Sequence, residues 1–413
     1  MNKKQEIKNR IDLINKGEVP ERYRKHQGFI HPIDWENISF NKIFQERCVK
    51  VNDTTRYPLY SLTIEKGVVP KTEQYERSFL ITKDEDSYKV VKNNDFVYNP
   101  MNLRFGAIAR YKDQDDCSVS GYYNVFSIIN DYNPYFMESF VKSQAMLNYY
   151  NTQATGSLIE KQRVHFSQFI EFNFALPSEK EQEKIAEILS CCDKVIELKE
   201  QLIKHYYEKR NFIIGYFLKN IKSKNIVKLG DICEMFSGGT PSVENRQYYN
   251  NGTIPFIKSG EIENDKTEDY ITEDGLKNSS AKLVKQGDLL VALYGANSGN
   301  VALSKISGAI NQAILCIRSS FIDCYYLLIL LKFNKDRIIQ KYLQGGQGNL
   351  SAQIIKSLKF KIPTIEEQKK IVTIISNIDK ELKLLEQELE QYKQLKKALS
   401  QLLLTGIVRV NEV

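Results

Sequence analysis

The sequence lacks the short spacings that announce most metal, cofactor and nucleophile chemistry. Its seven cysteines include no Cys-x-x-Cys pair, and two of them, Cys191 and Cys192, are adjacent. That pattern argues against both a zinc module and a disulfide framework, leaving reduced thiols as the simplest expectation. The four histidines, His26, His31, His165 and His205, are scattered, which suits structural or surface roles better than a ligand set. No phosphate-binding P-loop occurs, because Gly295-Ala296-Asn297-Ser298-Gly299 has no Lys and Ser/Thr after it. The dinucleotide fingerprint, the zincin helix and the hydrolase elbow are missing too. The Asn-Pro-Pro-aromatic signature of adenine amino-methyltransferases fails at Asn99-Pro100-Met101. We therefore expect no catalytic residue, no metal and no cofactor on this chain.

Long apolar runs are also scarce. The most apolar, Tyr325 to Leu331, falls far short of the roughly 18 residues that suggest a membrane span. The charged start, Met1 to Lys8, does not resemble a secretory signal, so a cytoplasmic, membrane-free protein is expected. Hydrophobic residues make up 42% and charged residues 26%, which rules out wholesale disorder. With 413 residues, two to three domains of about 150 residues are expected. The net charge of +7 permits contact with a polyanion but is modest for a protein that grips nucleic acid alone.

What the sequence does contain is a duplication. Phe174–Leu198 and Phe360–Leu384 align without a gap at an offset of 186 residues, with identities that include Pro177/Pro363, Glu181/Glu367, Gln182/Gln368, Ile185/Ile371 and Asp193/Asp379. Each copy opens on a capping box, Ser178-x-x-Glu181 and Thr364-x-x-Glu367, which marks a helix start. A heptad-like stripe follows. It runs through Ile185, Leu189, Cys192, Ile196, Ile203, Tyr206, Ile213 and Phe217 in the first copy. In the second it runs through Ile371, Ile375, Ile378, Leu382, Leu385, Leu389, Tyr392, Leu399 and Leu403. Arg210 and Lys396 interrupt the two stripes at matching positions. The copies end at Asn220 and Gly406, residue types that tolerate a left-handed C-cap. Each helix would run about 43 residues, roughly 64 Å. So long a helix with a narrow seam calls for a partner, and the other copy is the obvious one, in either orientation. Asp193, Glu197 and Lys199 superficially suggest a nuclease set, but on a seam helix they read as a solvated face.

Two globular segments remain, 36–173 and 226–359, after an N-terminal lead over 1–35; the repeated helices occupy 174–220 and 360–406. Both segments show short β-type runs: Phe79–Thr82, Tyr88–Val91 and Val125–Ile129, then Asp288–Leu293 and Ala313–Ile317. Helical stretches follow at Tyr135–Tyr150 and Cys324–Lys341, and the lead carries a short helix, Lys3–Asn15, expected to pack near the end of the second long helix. The fold class is α+β, two mixed domains separated by two long helices, with an internal repeat.

The loops of both segments are rich in amides and hydroxyls. Asn and Gln pair with adenine edges, Arg and Lys with guanine, and hydroxyls with phosphate. The candidate DNA-binding residues are Asn99, Asn102, Arg104, Ser118, Ser120 and Tyr122 in the first segment. In the second they are Thr240, Ser242, Lys258, Ser259, Asn297, Ser298, Gln312, Gln347 and Asn349. Any one of these can equally be an ordinary turn residue.

The layout resembles the specificity (S) subunits of type I restriction–modification systems. The resemblance is carried by Leu176-Pro177-Ser178 with Gln182 and Ile185, by Ile362-Pro363-Thr364 with Gln368 and Ile371, and by Gly239-Thr240-Pro241-Ser242, Gly287–Leu290, Ala309–Gln312 and Asp95–Met101. It implies two target-recognition domains, an antiparallel coiled coil with pseudo-two-fold symmetry, and double-stranded DNA read as a bipartite site whose spacer the helices set. It also implies a non-catalytic chain working with two methyltransferase subunits that carry S-adenosylmethionine, and with restriction subunits that use ATP and Mg. The first segment departs from the pattern, having no Gly-x-Thr-Pro-Ser opening, and Ser118–Tyr122 differs from the expected Ser-Pro form. The alternative is a coiled-coil scaffold joining two protein-binding domains.

Overall fold

The computed structural model describes residues 3–71, 88–158, 162–222, 226–342 and 349–410. The expected strand at Phe79–Thr82 lies outside them. The chain forms two compact units, Met1–Lys199 with Glu388–Val413, and Glu200–Gln387. Each unit holds one globular domain and a length of both long helices, which run over Glu179–Lys219 and Ile365–Leu404.

In the first unit the domain opens and closes on one antiparallel pair, Glu36–Ser39 with Asn173–Leu176. Between them lie a four-stranded antiparallel sheet, in the order Ile108–Arg110, Phe96–Tyr98, Asn124–Ile128, Phe44–Glu46, and a three-stranded sheet, Cys117–Val119, Tyr88–Val91, Lys50–Val51. The core is aromatic: Phe44, Phe96, Phe126 and Phe169 are almost wholly buried, with Phe44 and Phe126 rings edge to face at 4.9 Å. The stretch expected as one helix at Tyr135–Tyr150 breaks into Pro134–Val141 and Gln144–Gln153, because Ser143 leaves the helix and caps the second piece through the Met146 amide.

The second domain opens and closes the same way, on Ile226–Lys228 with Lys359–Lys361. Its two sheets are Glu234–Ser237, Ile314–Arg318, Leu289–Ala292, Val301–Leu303, and Tyr270–Ile271, Ile254–Ile257, Gly308–Ile310, Lys282–Val284. All pairings are antiparallel except Phe256↔Ala309 and Ile257↔Ile310. Cys324–Lys341 is likewise two helices, Cys324–Phe333 and Lys335–Tyr342, divided at Asn334, whose amide side chain bonds the Leu330 carbonyl.

The long helices pair with each other antiparallel and also complete the domain cores, so mutual pairing and docking on the domain both occur. In the first unit Ile185 and Leu189, at the start of one helix, share a core with Leu403 and Leu404, at the end of the other. In the second, Ile371 and Ile375 share a core with Ile214. The interruptions of the stripe are cross-helix ion pairs: Lys396 donates to Asp193 in the first unit, and Arg210 grips both oxygens of Asp379 in the second. A domain tyrosine joins each pair, Tyr135 on Asp193 and Tyr325 on Asp379. Asp193 is therefore structural, as is Lys199, which bonds Glu388 at 2.7 Å. Gln182 and Gln368 repeat a further contact, each accepting a domain backbone amide, from Asn133 and Asp323, and donating to the preceding proline carbonyl.

The helix ends differ from the expectation in two places. Thr364 and Glu367 form the reciprocal capping box. Glu181 does not, because its carboxylate accepts from Trp35 Nε1 and from Arg409. Gly406 is left-handed at φ 70°, packed so closely on Pro32 and Trp35 that a Cβ would collide. Asn220 stays outside the left-handed region and caps instead through Nδ2, 2.8 Å from the Tyr216 carbonyl. The N-terminal helix, Lys3–Asn15, packs Ile7, Ile11 and Ile14 on the core beside Ile407, and Arg10 donates to the Ile407 carbonyl at 2.7 Å.

Candidate nucleic-acid interface

In the second domain the candidate loops leave the sheets at one end. Strand pairing sets Ser237 beside Leu315 and Ala292 beside Ile314, so the segments after Ser237, after Ala292 and before Ile314 share an edge. The parallel pair Ile257↔Ile310 brings the segment after Ile257 to the same place, since Asn311–Ala313 carries the chain from one sheet into the other. This is where Thr240, Ser242, Lys258, Ser259, Asn297 and Gln312 sit.

Close approach of the backbone explains the glycines. A Cβ on Gly238 would lie 1.7 Å from the Ile310 carbonyl oxygen, and one on Gly239 would meet Ser280 at 2.6 Å. The Ser237–Ser242 loop thus lies flat on its neighbours and presents Thr240, whose hydroxyl donates to Gln312 Oε1 at 2.8 Å. Gly260 places its α-carbon against the Asn297 amide, and Asn349 accepts the Gly295 N–H at 3.2 Å. Lys258 is tied to Asp269, and this hydrogen bond raises its pKa above the ordinary lysine value. Its ammonium stays charged, but a phosphate would have to share it with Asp269. Gln347 lies outside the described residues.

Ser298 belongs to the fold, not to a surface. It is buried, donates to the Leu293 carbonyl and accepts the Leu350 amide, so the hydroxyl is consumed in holding the loop.

In the first domain a smaller version of the arrangement appears. Tyr98 pairs with both Ile108 and Asn124, so the loops 99–107 and 120–123 emerge together. Asn102 is exposed and Tyr122 is exposed beside Ser120. Asn99 is spent locally, accepting the Met101 amide in a turn. Arg104 bonds Gln162 at 2.6 Å and stacks on Phe105. Ser118 is corrected like Ser298: it is fully buried, with its hydroxyl on the Tyr57 carbonyl at 2.8 Å.

Sequence reasoning passed over Phe105, an exposed ring on one of these loops, and Lys89, whose buried stem carries Nζ to the Tyr123 carbonyl and fixes the 120–123 turn. An aromatic next to Arg104 was the available signal for Phe105, since bases stack on exposed rings. Among the described residues no group of three or more His, Cys, Asp and Glu side chains could hold a metal, and no helix is long and apolar enough to cross a membrane.

A family model described as a type I restriction modification DNA specificity domain matches the chain twice, over residues 32–205 and 221–394. The EcoR124I/EcoR124II specificity subunit of Escherichia coli is 25% identical over 237 residues, 51% of this chain and 58% of that protein. A putative MjaX specificity subunit from Methanocaldococcus jannaschii is 23% identical across 94% of this chain and 97% of its own length. In fold, the chain is similar to a solved structure from work on assembly of the type I R-M system, with TM-score 0.61 at 16% identity, covering 92% of this chain and 99% of that one. It is also similar to the type I S subunit from M. genitalium, with TM-score 0.55 at 15% identity, covering 93% and 98%.

Proposed function

Because the chain belongs to the type I restriction–modification DNA specificity family, we propose that it is the reading head of such a complex, each domain recognising one half of a bipartite DNA site. The observation that carries this reading is the recurrence of one loop arrangement on duplicated domains. In each, polar side chains gather at the single edge where several strands end. Thr240, Ser242, Lys258, Ser259, Asn297, Gln312 and Asn349 read the second half-site; Asn102, Ser120, Tyr122 and Arg104 with Phe105 read the first. Asn99 shapes its loop.

The long helices set the spacer and dock two methyltransferase subunits, which bring S-adenosylmethionine and methylate adenine. Restriction subunits bring ATP and Mg. The chain itself supplies no cofactor or nucleophile and acts in the cytoplasm.

The test is to co-express the full chain with its methyltransferase subunit and map methylated adenines. A bipartite motif is expected, and methylation without sequence preference would sink the proposal in favour of a plain scaffold. Replacing Gln312 or Thr240 by Ala should relax one position of the second half-site by about 1–3 kcal/mol and leave the first half-site as it was.

A further inference from the structure

A groove of about 1210 Å³ lies in the first unit between the helices Pro134–Val141 and Gln144–Gln153 and the lengths of the two long helices in that unit. Among its charged lining residues basic side chains outnumber acidic ones, seven to three, and the acids are largely committed. Glu138 holds Arg110 at 3.3 Å and Lys112 at 3.4 Å, and Asp193 holds Lys396 and Tyr135. Lys142, Lys194 and Lys397 are left with no hydrogen-bonding or ionic partner for their ammonium groups among the described residues.

Lys142 is the telling one, because it is half-buried. Burial pushes its pKa below the ordinary lysine value; Glu138 and Asp193 oppose this, while Lys112 and Lys396 push the same way as burial. With no carboxylate in direct contact its ammonium is only partly compensated, and a bound anion would favour the charged form.

The second unit shows what compensation looks like. Lys142 follows the cap residue Asn133 by nine positions, as Lys332 follows the cap residue Asp323. Lys332 has its own carboxylate, Glu263, at 3.1 Å. There the neighbouring space is also filled: the Phe333 ring sits against Gly215, where a Cβ would be only 3.3 Å from the ring. By the same offsets the first unit has Ser143 and Gln401 at those positions, and both line the open groove.

We propose that this groove is a binding site for a phosphate-bearing anion, which takes at Lys142 the place that Glu263 takes at Lys332. Phosphate suits the donors better than carboxylate does. The free cations are several lysines, compact point charges that can share the oxygens and the higher charge of one phosphate, while Arg110 is already on Glu138. The proposal is separate from the loop edges assigned to base reading. Two sources share the chemistry, the phosphodiester backbone of DNA and a free polyphosphate.

The experiment uses the full-length protein with sodium tripolyphosphate in a calorimetric titration, and in parallel a duplex of arbitrary sequence at several salt concentrations. Tripolyphosphate should bind, with affinity lowered about tenfold in Lys142→Gln and changed less than about twofold in Lys332→Gln. The Lys194→Gln/Lys397→Gln pair should weaken it in the same direction. If the backbone is the natural source, Lys142→Gln also flattens the log–log salt slope of duplex binding by about one, whatever the sequence. If a free polyphosphate is the source, the duplex slope is unchanged while the tripolyphosphate loss persists. Equal losses in Lys142→Gln and Lys332→Gln, or no loss with either probe, would overturn the proposal. So would a Lys142→Gln protein that melts well below the wild type, because that would show a structural lysine with its needs already met.

Discussion

The two long helices begin on the same motif and use it differently. At Thr364 the hydroxyl and the Glu367 carboxylate satisfy each other's backbone amides, and the cap is self-contained. At Ser178 the matching Glu181 turns away to Trp35 and to Arg409, whose guanidinium also grips Asp34. The cause is what the second unit lacks. The N-terminal lead and the C-terminal tail both lie in the first unit, and both need anchoring there. Duplication preserved the carboxylate but not its employment.

That contrast can be broken by substitution. Glu181→Ala should cost about 3 kcal/mol, since it strips a nearly buried carboxylate of three donors and leaves the Trp35 N–H and part of the Arg409 fork unsatisfied. Glu367→Ala should cost no more than about 1 kcal/mol, the worth of a cap. Urea unfolding of the two variants checks this, and equal losses would mean that the network around Arg409 adds nothing to a capping box.

The cross-helix pairs offer a second, smaller contrast. Arg210 engages both oxygens of Asp379 in a site less exposed than that of Lys396 and Asp193. Asp379→Ala should therefore destabilise by about 2 kcal/mol and Asp193→Ala by about 1 kcal/mol, the latter discounted for solvent screening. Arg210→Lys should bring the second unit down toward the first. If the two alanine variants unfold at the same urea concentration, the fork geometry is irrelevant.

How far these features were legible in the sequence follows from their physics. The helix starts and the duplication were plain, because Pro177/Pro363 and Glu181/Glu367 are local signals. Arg210 and Lys396 read only as breaks in a stripe, since their meaning depends on a partner helix whose direction no single-helix pattern reveals. Ser118 and Ser298 looked like loop hydroxyls, yet both are buried on backbone carbonyls, and a short polar residue gives the same local signal in either role. The common edge in the second domain was also invisible, because it depends on the parallel pairing of Ile254–Ile257 with Gly308–Ile310, which are far apart in sequence.

The smallest expected effect concerns pH. The hydrogen bond from Arg409 holds the Asp34 carboxyl below the ordinary carboxylate value, with burial opposing. Its stabilisation is thus complete above the unfolded value of about 3.9 and is lost as pH falls through the lowered folded value. Wild type and Asp34→Asn should differ in melting temperature at pH 6, and the gap should narrow as the pH falls below the unfolded value. A gap that widened on acidification would contradict the assignment.

The three-residue step Asn311-Gln312-Ala313 is gripped at both ends, by the strand it leaves and by the strand it enters in the other sheet. Its main chain cannot drift far, whatever side chain it carries. Gln312 and its neighbour Thr240 can then be exchanged like type in a fixed frame: new letters print a new word without recasting the press.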